Sequence, residues 1–219
     1  MPSDFLPILF ECLIPEELAN DRSWWEIYDE AFPPNEREPR QVILNSLQNG
    51  VGVAVRARHA GRTIGLATMH LLRNPAAVFL VYIALDRHLR GRGSGGLLLE
   101  HAWKVGASYL SKQGLIAIGL IWEVEIPALA ATEEETLRRE RRIAFFRRHG
   151  GDILPRPYFQ PPVDGIAPVP MHLMYRPAEE GKWPDPEMTE VLVRAIYFEK
   201  YRAVNGIPLE TLERLLKNS

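Results

Sequence analysis

One cysteine, Cys12, stands among 219 residues. A lone thiol excludes an internal disulfide framework and any multi-cysteine metal site, and it fits a reducing compartment. An excess of charge is missing too, with 26 lysines and arginines against 28 aspartates and glutamates. That balance gives no footprint for a nucleic acid or a membrane surface, so the expected partner is small or local. No apolar run approaches the roughly 20 residues that span a bilayer. The opening M-P-S-D-F-L-P-I-L-F-E carries Asp4 and Glu11 and lacks the basic stretch and long apolar core of a secretory signal. Internal repeats and low-complexity segments are also missing. The length suits one sizeable α/β core with a small appendage. The expectation is a cytoplasmic protein with one main domain, no membrane or nucleic-acid partner and no metal.

What is present is an alternation of strand-like and helix-like segments. F-L-P-I-L-F-E-C-L (5–13) reads as a strand, with Cys12 buried in it. Ser23 is a candidate cap for the helix W-W-E-I-Y-D-E-A-F, which Pro33 and Pro34 end, and a second helix covers about 39–49. V-G-V-A-V-R-A-R and T-I-G-L-A-T-M-H-L-L, joined at His59-Ala60-Gly61-Arg62, predict an antiparallel hairpin. A-V-F-L-V-Y-I-A-L is apolar almost throughout, as a strand covered on both faces must be. From Gly93 a helix follows with Leu98, Ala102, Val105 and Tyr109 as its apolar stripe. Next come the strand L-I-A-I-G-L-I-W-E-V-E-I and a helix from Glu133 to His149 closed by Gly150. A proline-rich stretch leads to a last strand, P-M-H-L-M-Y, and then to two C-terminal helices that read as an appendage.

Residues 90–96, R-G-R-G-S-G-G, fit three phosphate-binding patterns. A P-loop needs Lys-Ser or Lys-Thr after its last glycine, where this chain has Leu97 and Leu98. A nicotinamide dinucleotide fingerprint needs its first glycine directly off a strand, but five residues separate Leu85 from Gly91. The third pattern, R-x-x-G-x-G, fits its surroundings best. Glycines let the backbone approach a pyrophosphate, and a helix N-terminus offers N–H groups and positive charge.

Y-I-A-L-D-R-H-L-R-G-R-G-S-G-G-L-L-L-E resembles the acyl-CoA-binding segment of the GNAT acetyltransferase superfamily, and R-R-I-A-F-F-R-R-H-G-G resembles that family's second signature. A-F-P-P-N-E-R is similar to the first-helix region of some members. The resemblance covers roughly residues 5–176. It implies an α/β GNAT-like fold, a mixed central sheet covered by helices, over residues 1–176, with a helical C-terminal extension, 177–219, packed on or beside it. It further implies acetyl-CoA as cosubstrate. The pantetheine arm would lie along Ile83, Ala84 and Leu85, and the pyrophosphate on the main chain of Arg90, Gly91, Arg92, Gly93, Ser94, Gly95 and Gly96.

In such folds the following strand splays away and opens a cleft, and here that strand carries Glu123 and Glu125. Attack of an amine on a thioester needs a proton acceptor, and period-2 alternation places both glutamates on one face with Ala117 and Gly119, opposite Trp122 and Val124. Two like charges on one desolvated face are expected to raise a pKa. Many family members carry tyrosine where this chain has Phe146, so water or another residue protonates the thiolate, or it leaves unassisted; Tyr158, in the P-R-P-Y-F-Q-P-P loop after the helix that carries Phe146, is the candidate substitute donor. The acidic strand end and Glu133-Glu134-Glu135 point to a cationic amine acceptor, small molecule or peptide, and a homodimer is left open. The alternatives are an acyl-CoA-binding sensor without turnover and a nicotinamide-cofactor protein.

Overall fold

Four strands follow one another as antiparallel neighbours: β1 (Leu9–Leu13), β2 (Gly52–His59), β3 (Arg62–Arg73) and β4 (Ala76–Leu85). The computed structural model that shows them describes residues 7–89, 93–163 and 167–217. The β2–β3 hairpin turns on Ala60 and Gly61, with φ of 49° and 78°, the two positive values that a two-residue turn of this twist requires. Cys12 is exposed rather than buried, because β1 is an edge strand and the neighbouring Leu13 takes the inward side.

A crossover helix, α4 (Ser94–Lys112), leads to β5 (Gly119–Glu125), which runs parallel to β4. Three short or terminal strands complete the sheet: β6 (Asp152–Ile153), β7 (Tyr158–Gln160) and β8 (Val169–Pro177), with β8 between β5 and the β6 and β7 pairings. The β4–β5 ladder is brief. Val78, Phe79 and Leu80 pair with Leu120, Ile121 and Trp122, and the β4–β5 ladder ends there among the described residues. The cause lies in β4. Its ladder to β3 shifts register between Leu80 and Tyr82, leaving Val81 as an extra residue, and such a bulge bends the strand.

The remaining helices are α1 (Pro15–Asn20), α2 (Arg22–Ala31), α3 (Arg40–Gln48), α5 (Glu133–Arg148), α6 (Pro186–Ala195) and α7 (Leu209–Lys217). Asp21, rather than the expected Ser23, caps α2, accepting from the Trp24 N–H at 3.0 Å. Helices α4 and α5 cover one face of the sheet, where Leu98, Leu99, Ala102, Leu110, Ile143 and Phe146 share a core with Val78, Leu80, Trp122 and Val124. Along α4 the inward stripe passes from Leu98 and Ala102 to Gly106 and Leu110, whereas Tyr109 turns outward. The stripe bends there because Gly106 sits against Val78, where a Cβ would come within 2.7 Å.

On the opposite face α1, α2 and α3 pack Trp24, Trp25, Tyr28 and Ile43 against Leu66, Tyr82 and Ala84. The C-terminal helices cover the rest of that face. Leu192, Val193, Ile196, Tyr197, Tyr201 and Leu212 are buried with Phe79, Ile121, Leu173 and Tyr175 of the sheet. Between α6 and α7 the backbone widens into a π-helical turn, Ile196–Arg202, an arrangement that recurs at functional sites. No helix among the described residues is long and apolar enough to cross a membrane.

Candidate active site

Beyond Leu80 and Trp122, where the β4–β5 ladder ends, Ile83, Ala84 and Leu85 continue on β4 and Glu123 and Glu125 on β5. On its far side β4 remains tied to β3 through the pairs Ile83–Ala67, Ala84–Leu66 and Leu85–Gly65. The helix α4 starts close by. Gly93 caps it in the left-handed region, φ 80°, with nothing within 4 Å of where a side chain would begin. Arg90, Gly91 and Arg92 lie outside the described residues.

Gly95 and Gly96 have a second reason to be small. A Cβ on Gly95 would stand 3.3 Å from the Phe145 ring, and one on Gly96 would stand 2.2 Å from His149 Nε2. Their size is therefore set by the α4–α5 contact as well as by any ligand. The Gly96 N–H is spent on the Gly93 carbonyl at 3.1 Å, so it is not among the open donors of the first turn. His149 is fixed by the contact between its Nδ1 and the Phe145 carbonyl at 2.8 Å.

Glu123 and Glu125 share one face, since the intervening Val124 and the preceding Trp122 enter the core under α4 and α5. Ala117, expected on the glutamate side, precedes β5 and belongs to that same α4 core. Glu123 lies under the C-terminal helices. Its carboxylate accepts from the Tyr158 hydroxyl, from the Tyr201 hydroxyl at 2.8–2.9 Å and from Gln160 Nε2 at 2.8 Å. Burial pushes the Glu123 pKa up, while the donors Tyr158, Tyr201 and Gln160, and the charge of Lys200, pull it back. Both phenols are held well above the usual tyrosine range, by burial first and by the neighbouring carboxylate next, so they stay protonated. The cluster is a carboxylate fixed by three neutral donors.

Glu125 has different company. It is ion-paired to Arg142 of α5, and its charge acts on Glu36 rather than on Glu123. Burial and the three donors, rather than the expected like charge of Glu125, are thus the leading influences on Glu123. Glu36, which follows α2, has a pKa raised by burial and by Glu125, against the pull of Arg142, Arg138 and Arg139.

Glu36 and Glu125 line a cavity of about 530 Å³, within the range of small-molecule sites. Glu36, Glu125, Glu135, Arg138 and Arg139 supply its charges; Gln160 links it to Glu123. Leu129, Val169 and several prolines give it an apolar rim. Glu135 is occupied by Arg139 at 2.5 Å, whereas Glu133 and Glu134 are exposed outside the lining. Trp24, Trp25 and Tyr28 do not reach the cavity and are core residues.

The structure thus brings Tyr158 to Glu123, and it puts Tyr158 on a strand rather than in a loop. Sequence reasoning missed Glu36, Gln160 and Tyr201. Glu36 stood in the quoted A-F-P-P-N-E-R segment, which was a usable signal. Tyr201 had none, because its approach depends on how the C-terminal helices fold back.

The β4–β5 ladder thus ends early between two parallel strands, with a helix N-terminus following one and a carboxylate on the other. The model of the acetyltransferase (GNAT) family matches residues 22–150, and the chain belongs to that family, whose reaction is acyl-CoA-dependent acetyl transfer. A protein of Bacteroides thetaiotaomicron assigned to the same family is similar in structure, with 23% identity and a TM-score of 0.67 over 92% of this chain and 100% of that one. An aminoglycoside 6'-N-acetyltransferase complexed with coenzyme A has 16% identity and a TM-score of 0.57, covering 81% of this chain and 99% of its own. A GNAT acetyltransferase from Elizabethkingia anophelis with acetyl-CoA bound has 14% identity and a TM-score of 0.50, covering 78% and 97%. No curated protein sequence matches the chain.

Proposed function

We propose that this protein transfers acetyl from acetyl-CoA to a primary amine by direct attack in a ternary complex, with Glu123 taking the amine's proton directly or through one water. The observation that carries the reading is the β4–β5 cleft with the desolvated Glu123 carboxylate beside it. Acetyl-CoA supplies the thioester. The amine nitrogen bonds the carbonyl carbon, the carbon–sulfur bond breaks and the sulfur leaves with its electron pair. A thiol pKa near 8.5 makes that thiolate a fair leaving group even with Phe146 at the usual tyrosine position.

The backbone of Ile83, Ala84 and Leu85 is assigned to the pantetheine arm. The segment Arg90–Gly96 is assigned to the pyrophosphate, and the open space at Gly93 and the α4 N-terminus fit that anion. Tyr158 is assigned to holding Glu123, which its hydrogen bond supports better than proton delivery to sulfur. Glu36 is assigned to a cationic group of the acceptor. It is a carboxylate made costly by burial and by Glu125, and an arriving cation relieves both. Arg138 and Arg139 in the lining and Arg142 on Glu125 offset the three glutamates, so the acceptor's cation is placed by Glu36 rather than drawn by a general acidic field.

Ligand-dependent thermal unfolding tests the coenzyme assignment. Acetyl-CoA or CoA at about 100 times its dissociation constant is expected to add roughly 2.7 kcal/mol, while NAD and ATP add nothing. A shift with NAD alone contradicts the assignment.

A further inference from the structure

An ion pair lies in the interior behind Glu123 and has no part in the chemistry above. Lys200 Nζ donates to Glu38 and, at 2.9 Å, to Asn205 Oδ1; Asn205 Nδ2 closes the triangle on Glu38 at 2.6 Å. The Lys200 and Glu38 side chains are only 3% and 4% exposed. Burying two charges costs several kcal/mol each before their attraction is counted, so such a pair needs more than stability to explain it.

Its two ends sit on the two parts of the site. Glu38 terminates the short segment that starts at the cavity residue Glu36, and two tyrosines clamp that segment. Tyr82 accepts from the Glu38 N–H and donates to the Glu36 carbonyl, both at 2.9 Å, while Tyr28 donates to the Glu38 carbonyl at 3.1 Å. Lys200 stands on the π-helical turn directly before Tyr201, whose hydroxyl holds Glu123. One buried contact thus joins the segment lining the acceptor cavity to the turn that fixes the carboxylate.

We propose that Lys200 is a positioning residue, which through Glu38 locks the acceptor-side segment 36–38 to the Tyr201 turn, so that acceptor binding and the Glu123 carboxylate are set by one interior ion pair. This rests on Glu123 being the proton acceptor. The groups facing Glu123 are Tyr158 and Gln160 from β7 and Tyr201 and Lys200 from the π-helical turn. Glu125, on its own strand, is neutralised by Arg142. His70 of β3 faces Lys200 but is pushed down to about 3 by burial and by the charges of Lys200 and Arg73, so it is neutral at working pH. Lys200 is the cation in this group, and its pull on Glu123 adds to the stronger one of the three hydrogen bonds.

The test is steady-state kinetics across pH on Lys200→Met, on Lys200→Arg and on the double variant Lys200→Met/Glu38→Gln. The double variant removes both charges together, which buried pairs tolerate far better than losing one partner, and it remains available if Lys200→Met does not fold. Loss of the positive charge alone raises the Glu123 pKa further, so the acidic limb of kcat/KM is expected at higher pH in Lys200→Met and close to its native position in the double variant, which removes the Glu38 charge as well. Lys200→Arg should keep the limb in place. The acceptor KM should rise roughly ten-fold in the methionine variants and the acetyl-CoA KM should hold, because the disturbed segment lines only the acceptor side. A folded double variant with unchanged acceptor KM, or a folded Lys200→Met with an unmoved limb, overturns the proposal. Wild-type turnover in Glu123→Gln would instead remove the base assignment, leaving the acceptor KM to decide the positioning role alone.

Discussion

Glu123→Gln is expected to lower turnover by roughly 10² to 10⁴-fold while acetyl-CoA affinity barely changes. Glutamine keeps the shape and still accepts a hydrogen bond, so the surrounding Tyr158, Tyr201 and Gln160 are left partly satisfied and the fold persists. What is lost is the capacity to take a proton. In the native protein burial holds the Glu123 pKa up, so the base is ionised only as pH rises through that raised value, and the acidic limb of kcat/KM should report it. Glu125→Gln should leave that limb in place, since burial and the donors Tyr158, Tyr201 and Gln160 govern Glu123 while Glu125 is paired with Arg142. Glu36→Gln should separate from both, raising the acceptor KM with little change in kcat. Kinetics of the three variants with an identified acceptor checks this, and wild-type turnover across pH in Glu123→Gln assigns the proton to solvent or to another residue.

Removal of residues 178–219 is expected to abolish cooperative folding. Leu192, Val193, Ile196, Tyr197, Tyr201, Leu212 and Leu215 would be lost from the face where Phe79, Ile121, Leu173 and Tyr175 lie. Full burial of a large apolar side chain is worth about 1.5 to 3 kcal/mol, so this set alone outweighs the whole stability of a typical domain, about 5 to 15 kcal/mol. The segment assigned from sequence as an extension would then be part of the core that supports Glu123. Circular dichroism melting of the shortened chain decides it. A sharp transition together with CoA binding would show that the segment up to 177 stands by itself.

Elements with local causes were legible in the sequence. The hairpin at Ala60-Gly61, the apolar β4 and the capped α5 each follow from residues within a few positions of one another, and each is present. The shared face of Glu123 and Glu125 follows equally from strand periodicity. Interactions between distant segments were not legible. The Val81 bulge that parts the sheet is written in no turn signal, because it depends on register against β3. Arg142 lies 17 residues from Glu125, so its capture of that carboxylate needed the α5–β5 packing. Tyr201 lies 78 residues from Glu123. The short strands β6 and β7 were hidden in a proline-rich stretch, since two or three residues give no periodicity. Gly95 and Gly96 were read as clearance for a ligand, whereas the contacts with Phe145 and His149 demand small residues independently.

Thiol release from acetyl-CoA, followed across a panel of primary amines with mass analysis of each amine, tests the central claim most directly. The account predicts release that depends on an amine, an N-acetylated product in equal amount, and loss of both in Glu123→Gln. Tight acetyl-CoA binding without amine-dependent release from any class in the panel would contradict it and make the protein an acyl-CoA-binding module.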